Sequence, residues 1–299
     1  MRILPTLGLS AVALIALAGC AATATPSDDG RIAIVTSTNV YGDIASTIGG
    51  DRVSVTAIID DPAQDPHSFE ASARVQLALS KAVIVIENGG GYDDWAGTLL
   101  AGADNTDATV LDVTTISGYD TDPASGEFNE HLWYDFPTIA TVAKTLVETL
   151  SAEDPSNAAV FARNGETFVA SLQALERREA ALKSSHDGTG VAITEPVPGY
   201  LLAASGLSVV TPPQFSEAIE EGTDVSPTVL KQTLATFSGG AARLLVYNEQ
   251  TTGAETEQML AAARAAGTPV VPVTETMPAD TDYIDWMSDN LDAVESALQ

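Results

Sequence analysis

Between residues 32 and 298 the chain alternates short runs rich in Val and Ile with longer stretches whose apolar residues recur every three to four positions. The short runs at 32–37, 53–59, 82–87 and 109–113 predict strands, and helices are predicted between and after them at 40–48, 71–80 and 136–150. Residues 156–183 contain no Pro and a single Gly, Gly165. Their apolar positions Val160, Phe161, Phe168, Leu172, Leu175 and Leu182 keep a helical interval, which predicts one helix about 40 Å long. The alternation then resumes, with strands at 191–194, 207–210, 244–247 and 270–274. Helices are predicted at 199–204, 227–237, 254–266 and 283–298, the second of them capped by Ser226 with Pro227 in its first turn. Residues 211–224 read as a loop bordering a cleft. The expected fold is α/β: two lobes, each a mostly parallel sheet flanked by helices, joined by one long rigid helix. The expected division is 31–154 for the first lobe, 155–184 for the connector and 185–299 for the second lobe. The halves share this alternation but no residue-level repeat.

The first 19 residues carry Arg2, an apolar run from Leu7 to Leu17 and then small residues, the pattern of an export signal. The run falls short of the ~20 apolar residues a membrane span needs. Leu17-Ala18-Gly19-Cys20 resembles the bacterial lipobox, which implies lipid on Cys20 as the mature N-terminus and residues 20–30 as a flexible tether. The expected location is therefore outside the cytoplasm, lipid-anchored to a bacterial cell membrane. Cys20 is the only cysteine, so the mature chain offers no intrachain disulfide and no second thiolate for a metal. A formal charge of −28, from 41 acidic against 13 basic residues, repels nucleic acid and draws cations.

Two of the three histidines sit among carboxylates. His67 lies in Asp65-Pro66-His67-Ser68-Phe69-Glu70 and His131 in Asn129-Glu130-His131-Leu132-Trp133-Tyr134-Asp135. Imidazole is the commonest protein metal ligand, and a neighbouring acid can orient its second nitrogen, which makes Glu70 and Asp135 candidate supports. Helix-start acids also occur for dipole reasons alone. Parallel sheets bind ligands beyond the carboxyl ends of their strands, where Glu195, Glu249 and Glu275 follow predicted strands. Imidazoles of the first lobe and carboxylates of the second would then face each other across one cleft. Trp133 reads as packing, His186 as an exposed loop residue after the connector, and Gly89-Gly90-Gly91 as a turn, since no Lys follows.

In this order and spacing the motifs resemble the metal-binding solute-binding lipoproteins of bacterial zinc and manganese ABC importers, and the resemblance covers essentially the whole mature chain. Thr36-Ser37-Thr38-Asn39 leading to Asp65-Pro66-His67 is similar to the family's first ligand segment, and 129–135 to its second. Thr194-Glu195 falls at the third ligand and Val273-Thr274-Glu275 at the fourth. Residues 283–291 resemble the family's last helix. The resemblance implies His67, His131, Glu195 and Glu275 as ligands, with Glu249 beside them. Glu130 replaces a usual Pro. Between Tyr119 and Phe128 only Asp120, Asp122 and Glu127 stand where many zinc members carry a His-rich loop.

The function so implied is capture of a divalent transition metal, Mn²⁺ or Zn²⁺, as cargo by a monomer. Delivery would be to a membrane permease with its cytoplasmic ATPase, with no organic cofactor and no nucleic acid. Glu195, where many zinc members have His, tilts the set toward oxygen and Mn²⁺. Capture should weaken below about pH 6 as imidazoles protonate. An extracellular metallohydrolase would need an open coordination position, and no H-E-x-x-H segment is present. The other rival is a solute-binding protein for a small organic ligand in which the histidines only hydrogen-bond.

Overall fold

The computed structural model describes residues 30–61, 69, 72–123 and 128–299. The leader and Cys20, nearly all of the 20–30 tether, His67, Glu70 and Glu127 lie outside the described residues.

Strands β1 (Ile32–Thr38), β2 (Val53–Ile59), β3 (Ile84–Glu87) and β4 (Thr109–Asp112) form a parallel sheet in the order β2-β1-β3-β4. A second parallel sheet contains β5 (Gly190–Ile193), β6 (Ser208–Val209), β7 (Leu245–Asn248) and β8 (Val270–Val273) in the order β6-β5-β7-β8. The second half thus repeats the first in topology. The helices of the first half are α1 (Asn39–Gly49), α2 (Ala73–Leu79), α3 (Asp94–Gly102), α4 (Val113–Ser117) and α5 (Phe136–Glu153). Next comes α6 (Ala158–His186), and then α7 (Gly199–Ala204), α8 (Pro213–Glu220), α9 (Pro227–Ser238), α10 (Ala254–Ala266) and α11 (Tyr283–Ala297).

The long helix is α6, whose 29 residues span about 43 Å at ~1.5 Å each. Phe161, Phe168, Leu172, Leu175 and Leu182 form its buried stripe. Its one glycine has a packing reason. A Cβ on Gly165 would stand 2.5 Å from Val147 of α5, so the missing side chain is what lets the two helices meet. One apolar cluster runs from Ile34 and Ile84 of the first sheet through Phe168 and Leu172 to Val191, Val246 and Trp286. The lobes therefore share a core. No helix among the described residues is long and apolar enough to cross a membrane.

Two expectations are corrected. The 211–224 loop contains α8, because Pro213 sits at the start of the helix, where proline costs nothing, and Phe215 is buried beneath it. His186 ends α6 and is half-buried instead of lying in an exposed loop.

Candidate metal centre

Each sheet has a switch point, between β1 and β3 and between β5 and β7, and these are where an open parallel sheet forms a ligand crevice. Buried polar side chains gather at both. In the second lobe Glu195 lies two residues beyond β5 and Asn248 ends β7; they are 3% and 1% exposed. Asn248 Nδ2 donates to Glu195 Oε2 and to Glu275 Oε1, the latter at 2.9 Å. Its backbone N–H donates to Thr194 Oγ1 at 2.9 Å. Glu275, two residues beyond β8, is also buried, and its N–H donates to Gln250 Oε1 at 2.5 Å. One neutral amide therefore holds two buried carboxylates. Burial, then the Glu220 charge, and then Glu275 push the Glu195 carboxyl up to about 8 against the bond from Asn248.

In the first lobe Asn88, the residue after β3, is fully buried. Its Nδ2 donates to Glu130 O at 2.9 Å, its O accepts from Thr114 Oγ1 at 2.7 Å, and Tyr41 OH donates to its Oδ1. Asn88 thereby fixes the segment in which Glu130 stands. His131 is fully buried, with Trp133 at 5.1 Å and Tyr92 at 6.1 Å between ring centroids. Asn129 Oδ1 accepts the His131 backbone N–H at 3.1 Å and lies 2.8 Å from Nδ1. Asn129 Nδ2 donates to Pro196 O at 3.0 Å, which fixes which way the amide faces and leaves Nδ1 as the protonated ring nitrogen. His131 Nε2 faces Glu220 Oε1 at 3.3 Å.

Glu130, His131 and Glu220 are the one group among the described residues with three potential ligand atoms within 4.8 Å of one another. Glu195 and Glu275 gather on Asn248 instead and are not part of that group. Glu249 is exposed. Asp135 caps α5 through Thr138 N at 3.2 Å, so the acid beside His131 serves the helix, and Asn129 orients the ring. Trp133 is fully buried in the shared core, and Gly89 turns the chain with φ +72°. Sequence reasoning missed Glu220, Asn248, Gln250 and the role of Asn129. A residue ending a strand at the switch point was the available signal for Asn248.

The site sits on a seam stitched across the lobes. Asn39 pairs with the backbone of Met277 at 2.8 and 3.0 Å, Tyr134 OH donates to Thr274 O at 2.9 Å, and Tyr200 OH donates to Asn129 O at 2.7 Å. A pocket of about 580 Å³ lies elsewhere, at the amino ends of the second sheet beside Thr189, Arg243 and Pro269.

Residues 34–297 match the family described as zinc-uptake complex component A, periplasmic (ZnuA). The chain belongs to this family. It is 32% identical over 168 residues to the manganese-binding lipoprotein MntA of Halalkalibacterium halodurans, an alignment covering 55% of this chain and 54% of that protein. The chain thus spans about half the length of the manganese-binding relatives it matches first. The fold matches the periplasmic zinc-binding protein TroA of Treponema pallidum with TM-score 0.73 and 19% identity, over 90% of this chain and 99% of that one. It also matches the Mn²⁺ complex of the solute-binding protein FpvC of Pseudomonas aeruginosa, with TM-score 0.73, 23% identity, and 90% and 99% coverage.

Proposed function

We propose that this chain is an extracytoplasmic receptor that captures a divalent transition metal, Mn²⁺ or Zn²⁺, between its lobes. It passes the ion to the permease of an ABC importer driven by a cytoplasmic ATPase. Asn248 carries this reading: it holds two buried carboxylates from two strand ends at one point, facing the imidazole lobe. Two buried carboxylates this close keep a proton, at a cost in stability as pH rises, unless a cation joins them. The family groups solute-binding receptors and not enzymes, and we read this member as a receptor without turnover.

The donor set is His67 and His131 from the first lobe with Glu195 and Glu275 from the second. Lipid on Cys20 holds the monomer to the cell membrane. The lobes divide at 31–154 and 185–299, with 155–184 between. Carboxylate oxygens make the set suit Mn²⁺ better than a His-rich one would, although Zn²⁺ binds more tightly to nearly any such site.

Calorimetric titration of the metal-free protein tests this. One equivalent of Mn²⁺ or Zn²⁺ should bind and raise thermal stability, by about 2.7 kcal/mol at a hundredfold excess over Kd. His131→Ala should remove tight binding and keep the fold. A wild-type protein with no metal-dependent stabilisation would sink the receptor reading.

A further inference from the structure

Glu220 is absent from that donor set, yet it is the carboxylate that meets His131. It ends α8 in the second lobe, one helical turn after the buried Ser216, so it shares the inward face while the next residue, Glu221, is exposed. Its side chain is 10% exposed and its Oε1 stands 3.3 Å from a fully buried Nε2 across the lobe seam. In the neutral ring, with Nδ1–H committed to Asn129 Oδ1, Nε2 presents a lone pair to a carboxylate oxygen. Two acceptors enclosed that closely call for a cation. Donor atoms adjacent on one ion, with bonds of about 2.0–2.2 Å, stand roughly 3–3.5 Å apart, which brackets the observed separation. Glu130 brings a further oxygen within 4.8 Å.

We infer that Glu220 is itself a ligand of the captured ion, bound beside His131 Nε2. The inference rests on the receptor reading and sharpens it. A third carboxylate makes the coordination oxygen-dominated, so Glu220 adds to the tilt toward Mn²⁺ that Glu195 begins relative to sites richer in imidazole.

Metal-free wild type, Glu220→Gln, Glu220→Asp and Glu221→Gln are titrated calorimetrically with MnCl₂ and ZnCl₂, and thermal unfolding of each checks the fold. Wild type and Glu221→Gln should bind one equivalent alike. Glu220→Gln should lose roughly tenfold or more in Mn²⁺ affinity, with a smaller loss for Zn²⁺. Glu220→Asp keeps the charge but withdraws the oxygen by one methylene, and it should lose affinity too. Unchanged or tighter binding in Glu220→Gln overturns the inference, since the carboxylate would then only stand in for the ion. Full retention in Glu220→Asp also overturns it, because the contribution would be the field alone. Wild type that binds neither ion brings down the receptor reading itself, a distinct outcome.

Discussion

Glu179 lies in α6, is 4% exposed, and its Oε1 has no hydrogen-bond partner among the described residues. Burial, then the charges of Asp135 and Glu176, raise its carboxyl from 4.5 to about 8. The folded protein therefore holds a proton on Glu179 over a pH range in which the unfolded chain has released it. Stability from this group is fully present below about pH 4.5 and is lost as pH rises through about 8. At roughly 1.4 kcal/mol per decade, the loss by pH 8 is on the order of 4 kcal/mol. Glu179→Gln removes the titration but leaves a buried amide short of partners, at about 1–3 kcal/mol at every pH. The variant should be less stable than wild type at pH 5 and more stable at pH 8, with the order reversing in between.

Urea unfolding at pH 5, 6.5 and 8 in excess chelator measures this directly. The difference between variant and wild type cancels the titrations the two proteins share, and the chelator keeps cargo out of the comparison. A difference that stays constant from pH 5 to pH 8 would falsify the assignment of Glu179 as a buried acid held neutral by the fold.

Asn248→Ala should weaken Mn²⁺ binding roughly 10- to 100-fold by freeing both carboxylates, whereas Glu249→Ala, at an exposed position, should leave it alone in the same calorimetric titration. Gly190→Ala should cost roughly 1–3 kcal/mol or more, because the new Cβ would stand 2.1 Å from the backbone oxygen of Ala241. A lowered urea midpoint with an unchanged slope is the expected readout, and an unchanged midpoint would contradict the packing.

What could be read ahead of the structure followed the reach of each signal. Segments dense in Val, Ile and Thr mark strands even at a sheet edge, so β2 was legible to the residue, and the helical spacing from Val160 to Leu182 marked α6. Where two signals compete, the reading fails. Pro212-Pro213 announces a break and Gly222-Thr223-Asp224 announces a turn. The eight residues between them carry too few turns for periodicity to outweigh either, so α8 passed as loop and Glu220 with it. The same competition explains the support around the imidazole. An acid next to a histidine invites pairing, yet Asp135 lies where an α5 N-cap is needed and is used there. Asn129 sits two residues back along an irregular segment, and no period projects its amide onto Nδ1. Ligand types can be inferred from residue chemistry and strand ends alone. Which oxygen faces which nitrogen depends on contacts such as Asn129 to Pro196, 67 positions apart in sequence, and only the packed lobes create them.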